Sequence, residues 1–245
     1  MKDLDFISET TFVVVPRFNL ATLVNLIEPM RVANYLSSRT LYSWEIVSFE
    51  GPSVVASNGM SVSTGIPDTT NRRHDLIFVV GSWGCEHYAS RELTGWVRKQ
   101  YSRGARVCAV ELGCYIVARA GLLSGKKITT HWSWLPGFRE RFSETEVCEQ
   151  LFTRDEKILS CAGGVSGIDM MLSLIGEKHG SRMSGEIADQ MLFNPVRVEN
   201  SPQRRILGRT DEELVPLVSH AIELIENNVS EPLTIPVLAK TVGVS

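Results

Sequence analysis

The sequence predicts an α/β fold, with a ligand site at the carboxyl edge of its sheet, on three observations. Short apolar, β-branched runs alternate with segments of helical spacing along most of the chain. One join, Glu111-Leu112-Gly113, passes from strand to helix with almost no loop. The 245 residues, 43% hydrophobic and 22% charged, suffice for one large domain with a full core plus an appendage.

In chain order, Thr11 to Val15 reads as a first buried strand, closed by Pro16. After Asn19 an amphipathic helix runs from about Leu20 to Leu36, with Glu28 inside it. Trp44 to Phe49 is a second strand, and residues 51 to 65 form a turn-rich excursion in which Asn58-Gly59 favours a tight hairpin. Asp75 to Val80 is a third buried strand that runs into Gly81-Ser82-Trp83-Gly84-Cys85, whose small residues allow a backbone to approach a ligand closely. A helix follows from about Glu86 to Tyr101, and Gly104 leads into a strand from Arg106 to Val110. From Gly113 the spacing is helical through Tyr115, Ile116, Ala118 and Leu122.

At such a bend the first helical N–H groups lack partners, and the side chain projects beyond the sheet, where open α/β folds bind ligands. Further on, Lys126 to Thr130 gives a short strand ending at His131-Trp132, and Lys157 to Ala162 gives a late buried one. Gly163-Gly164 then opens a helix to about Lys178; it lacks the spacing of a phosphate loop and reads as a tight turn packing helix on strand. A further helix is expected from Glu186 to Leu192.

Composition excludes several classes. A formal net charge of −3 is no basic nucleic-acid footprint, so DNA contact would need a local patch or further sequence. Five cysteines (Cys85, Cys108, Cys114, Cys148, Cys161) show no CxxC or Cys/His metal spacing. They read as reduced thiols of a cytoplasmic protein, with no metal and no cofactor expected. The amino terminus lacks a signal-peptide pattern, and nowhere do eighteen apolar residues run together, so no membrane partner is expected.

Several separated strings then point to one family. Gly113, Ala120-Gly121-Leu122-Leu123 and His131-Trp132 resemble the nucleophile-elbow region of the PfpI-type, class I glutamine amidotransferase-like superfamily, and more closely the sensor domain of the GlxA-type branch of AraC-family transcription regulators. The string EPMRVAN, Glu28 to Asn34, resembles that branch's EP-hydrophobe-R-x-A-N signature, and CAGGVSGIDMMLSLI resembles it closely. The resemblance implies a three-layer flavodoxin-like domain followed by an all-α fragment of a helix-turn-helix domain. It also puts Glu111 where the superfamily's enzymes carry their nucleophilic cysteine, and commonly places an acidic residue of the first helix, here Glu28, beside that elbow.

The expected ligand site therefore gathers Glu28, Trp83, Glu111, Leu112, Cys114, His131 and Trp132. Cys114, in the first helical turn, is the runner-up nucleophile, because a helix dipole can lower a thiol pKa. The resemblance places a histidine partner near His131, which with Glu at the elbow reads as a structural or ligand-contact residue. If Glu28 and Glu111 converge, two carboxylates must share a proton or find a positive partner, which suggests a cationic or zwitterionic nitrogen compound as effector.

Residues 1–195 are read as the sensing domain. Residues 196–210, with four arginines and little periodic apolar pattern, are read as a linker. Residues 211–245 are read as the amino-terminal part of a truncated helix-turn-helix domain, with one helix from Asp211 to about Asn228 and a second capped by Thr234. The expected function is the sensor portion of a ligand-responsive transcription regulator, homodimeric, binding DNA through its full-length carboxyl-terminal domain and controlling catabolism of a small nitrogenous metabolite. The competing reading is a cysteine-dependent amidase or hydrolase using Cys114 or Cys85 with His131.

Overall fold

A computed structural model describes residues 8–68, 74–88, 90–204, 216–231 and 233–243. These form two compact units, dividing between Gln203 and Arg204.

The first unit is built on a six-stranded sheet in the order β2-β1-β5-β6-β10-β9. Its strands are β1 (Ser8–Val14), β2 (Tyr42–Val47), β5 (Leu76–Gly81), β6 (Arg106–Glu111), β9 (Phe152–Asp155) and β10 (Ile158–Cys161). All pairings are parallel except β9 with β10. Parallel strands with both faces covered read as unbroken apolar runs, which is why β1 and β5 show no polar alternation. Alternation is visible instead in which layer each side chain enters. Phe12, Val14, Phe78, Val80, Cys108 and Val110 pack on one face, while Val13, Val15, Ile77, Val79, Val107 and Ala109 pack on the other. Phe12 and Phe78 stack with ring centroids 4.9 Å apart.

The first face is covered by α1 (Leu20–Ser37), α5 (Ser166–His179) and α6 (Ser181–Gln190), and the second by α2 (Arg91–Ser102), α3 (Gly113–Arg119) and α4 (Leu135–Arg141). This is the expected three-layer α/β architecture. Asn19 caps α1, its side chain accepting from the Thr22 N–H. The excursion after β2 is the expected hairpin, β3 (Ser53–Val55) on β4 (Ser61–Ser63), with Gly59 at positive φ in its turn.

Four expectations shift. The helix expected from Glu86 begins only at Arg91, capped by Ser90, because residues 82–88 form a turn held by a side chain described below. The strand expected over 126–130 is reduced to β7 (Lys127–Ile128), paired with β8 (Glu146–Val147), because the Thr129 N–H donates to the Ser160 hydroxyl and the Thr130 hydroxyl to the Glu111 carbonyl oxygen, both outside β8. The helix expected over 186–192 runs earlier, as α6, with Leu192 already left-handed beyond its end. The segment read as linker from 196 is docked on the first unit as far as Gln203, since Arg197 and Gln203 find buried partners there. From 205 that segment lies outside the described residues.

In the second unit, α7 (Pro216–Asn227) and α8 (Ile235–Val242) are helical as expected. The expected start at Asp211 lies outside the described residues. Thr234 takes the N-cap backbone position of α8 without a capping side-chain bond, and Gly243 ends the helix in the left-handed conformation. No described helix is long and apolar enough to cross a membrane.

Candidate ligand site

The bend after β6 is as sharp as the sequence demands. Glu111 ends the strand with φ 54°, a left-handed conformation that a non-glycine residue adopts only under constraint, and α3 starts two residues later. Close packing enforces the turn. A Cβ on Gly113 would lie 2.0 Å from the Val79 carbonyl oxygen, and one on Gly163, itself at φ +93°, would lie 2.7 Å from Glu111 Oε2. Each position admits only glycine.

The bend aims the Glu111 side chain into a buried polar nest, where the residue is 5% exposed. Ser82 Oγ donates to Oε1 at 2.7 Å and Thr22 Oγ1 donates to Oε2 at 3.0 Å. The polarity of the second bond is fixed, because Thr22 Oγ1 also accepts from the Gly164 N–H at 2.7 Å and so has its proton free for the carboxylate. Burial raises the Glu111 pKa above the ordinary carboxylate range, and the hydrogen bonds from Ser82, Thr22 and Asn19 offset part of that rise. Among the described residues no cation pairs with Glu111.

Above the carboxyl group opens a cleft of ≈ 440 Å³, lined by Glu111 and Leu112, Trp83, His131 and Trp132, the glycines 163 and 164, Arg197 and Gln203 among others. Trp83 is 60% exposed and Trp132, its ring 5.6 Å from that of His131, 40%. His131 points Nδ1 at Ser133 Oγ, 2.8 Å away, and burial lowers its pKa, favouring the neutral ring.

Two expected members are elsewhere. Glu28 pairs with Arg31 at 2.6 Å on an exposed face of α1, in a separate pocket with Tyr35 and Gln190, and does not approach Glu111. The helix explains why: it is Thr22 that faces the elbow, and six residues further on a side chain is displaced by about 9 Å and rotated by about 240°. Cys114 lies outside the cleft, fully buried, its thiol donating to Thr130 Oγ1 at 3.2 Å. Burial pushes its pKa up to about 12, which overrides any helix-dipole effect. Cys85, also buried, is raised further for the same reason.

Sequence reasoning missed Thr22, Arg197 and Gln203. Thr22 was findable as the hydroxyl in the first turn of a capped helix that begins at the sheet's carboxyl edge; the other two follow a chain break that gave no periodic signal. It also missed the support of the Trp83 loop. Arg119, on α3, donates Nη1 to the carbonyls of Cys85 (3.1 Å) and Tyr88 (2.6 Å), and Nη2 to that of Glu86. With Arg141 Nη1, which donates to the same Glu86 carbonyl at 3.0 Å, this guanidinium holds the turn that delivers Ser82 and Trp83.

Residues 12–177 match the model of the DJ-1/PfpI family. The chain belongs to that family. Within it, the chain is 33% identical over 234 residues to the HTH-type transcriptional regulator GbdR of Pseudomonas aeruginosa, covering 96% of the chain but only 64% of GbdR. It is 31% identical over 238 residues to the HTH-type transcriptional regulator CdhR of the same organism, covering 96% of the chain and 69% of CdhR. An isonitrile hydratase of Pseudomonas putida is 30% identical over a shorter stretch of 126 residues, half of this chain and 53% of the hydratase. A solved structure of an AraC family transcriptional regulator from Pseudomonas putida superposes with TM-score 0.69 at 19% identity, covering 75% of this chain and 99% of that one. This DJ-1/PfpI chain therefore shares its fold with both regulators and enzymes, while the relatives matched along most of its length are regulators.

Proposed function

We propose that the chain is the effector-sensing portion of a transcription regulator whose DJ-1/PfpI domain has kept the elbow pocket and lost the elbow chemistry. The effector is a small cationic or zwitterionic nitrogen compound, and the regulator controls its catabolism. The observation that carries this reading is Glu111: a buried carboxyl group, strained into place, with a raised pKa and no ion-pair partner among the described residues, the Arg197 of the same cleft being paired with Asp169. A carboxylate in such a site is stabilised by a positive ligand. The convergence with Glu28 that first suggested a cation is absent, so one carboxylate carries the argument. Trp83 and Trp132 add aromatic faces for a cation, worth roughly 0.5–2 kcal/mol.

In this reading residues 1–203 form the sensing body, and α7 and α8 open a helix-turn-helix domain that binds DNA in the full-length protein, a cytoplasmic homodimer. The similarity to regulators along 96% of the chain supports it. The chain is then not an enzyme. Its thiols near the elbow are buried and held protonated, and the histidine of the cleft is turned to Ser133. A nucleophile needs its base within hydrogen-bond reach. The test is a thermal-shift screen of matched cationic, zwitterionic and anionic small nitrogen compounds. Cations and zwitterions raise the melting temperature and anions do not; stabilisation by anions alone contradicts the reading.

A further inference from the structure

The chain leaves its first unit along a strap, residues 196–203, that is also a wall of the cleft. At its root the Arg197 N–H donates to Asp169 Oδ1 at 2.7 Å, while Nε and Nη2 donate to Oδ2 at 3.1 and 2.6 Å. Asp169 is fully buried. Midway, the Leu151 N–H donates to the Glu199 carbonyl at 3.1 Å. At the tip, Gln203 Nε2 donates among three oxygens, the Thr130 carbonyl at 2.8 Å, Thr129 Oγ1 at 2.9 Å and the Gln150 carbonyl at 2.9 Å. Arg204, the next residue, begins the second unit.

The two ends are anchored by different chemistry. Releasing Arg197 strands a buried carboxylate without its charge partner, so the root is fixed. Gln203 is neutral and only part-buried, and water can take over each bond it makes, so the tip is releasable. Thr130 joins that tip to the elbow: its hydroxyl donates to the Glu111 carbonyl oxygen at 2.8 Å, and its own carbonyl receives Gln203. One residue therefore ties the backbone of the ligand-facing bend to the last residue before the helical unit.

We propose that the strap is a latch coupling the cleft to the second unit, with Gln203 as its moving part. A ligand in the cleft touches a wall that exists only while the strap is docked, so it favours the docked state, and release of Gln203 weakens the ligand by the same factor. The inference rests on the effector reading, but the latch is testable without an effector.

Hydrogen exchange on the whole 245-residue chain is the measurement, read at the amide of Leu151 and across residues 198–203. Gln203→Glu sets an anionic oxygen against acceptors and undocks the tip. Thr130→Val acts from the cleft side, removing the hydroxyl bridge to Glu111 while keeping the carbonyl. Both variants speed exchange in the strap at least about fivefold while the sheet's exchange stays as in the wild type. Wild-type rates in the strap of Thr130→Val overturn the latch, whether or not any ligand binds. Tetramethylammonium and arginine serve as probes: a probe that binds slows strap exchange in the wild type, and binds Thr130→Val, which adds no charge to the cleft, more weakly by the same factor. A probe that binds and leaves the strap unchanged overturns the latch, whereas failure of every probe to bind counts against the effector reading alone.

Discussion

At the residue scale, Glu111 sits between burial, which raises its pKa, and hydroxyl donors, which lower it, and burial prevails. The sign of the consequence follows from linkage. A carboxyl group whose folded pKa exceeds its unfolded one holds its proton more tightly in the fold, so stability is lost as pH rises from the unfolded value through the folded one. Glu111→Gln has no such proton to lose. Its melting temperature relative to the wild type therefore increases from pH 4 to pH 8, and a difference that shrinks over that range contradicts the assignment. The same proton governs binding: a cation selects the ionised form, so cation affinity rises with pH through that window. Thr22→Val removes a donor to Glu111 and the acceptor of the Gly164 N–H together, and costs about 1–3 kcal/mol in denaturant unfolding. Cys114→Ala, by contrast, leaves ligand binding unchanged, because that thiol is buried outside the cleft.

At the scale of elements, what the sequence made legible is what local chemistry dictates. The apolar runs of β1, β5 and β6 and the small residues around the bend each follow from local pattern, and the bend's role from family resemblance. What stayed hidden depends on rotation and on long-range partners. Glu28 and Thr22 share one helix, and only the phase of α1 on the sheet decides which meets Glu111. The turn at residues 82–88 looked helical because its local bonds, such as that from the Tyr88 N–H to the Gly84 carbonyl, are helix-like, whereas the side-chain bonds that anchor it come from Arg119, more than thirty residues away. Arg119→Met keeps the stem and removes the guanidinium, leaving the Tyr88 carbonyl without that donor and the Glu86 carbonyl with Arg141 alone; protease cleavage within that turn then accelerates while the sheet stays folded. Gly113→Ala is the harsher change. Its methyl group meets the Val79 carbonyl at 2.0 Å, and α3 cannot shift without carrying the elbow with it. The expected loss exceeds about 3 kcal/mol, read as a lowered denaturation midpoint, and a near-wild-type midpoint contradicts the packing described.

For the whole molecule, the division at Gln203 separates a body with two core layers from a short helical unit. The relatives are longer than this chain, and α8 is its last described helix. In the proposed reading the full-length regulator binds DNA and its sensing portion does not, so with a net charge of −3 residues 1–245 are expected to give no specific retardation of promoter DNA at physiological salt. Specific retardation by this chain alone contradicts that division of labour. The central claim, that Glu111 holds a positively charged effector, is tested most directly by titration calorimetry of the wild type and Glu111→Gln with the cation that stabilises the wild type best. A loss of at least tenfold in affinity in the variant, on the order of 1.4 kcal/mol, is the predicted result. Equal affinity in the two proteins contradicts it.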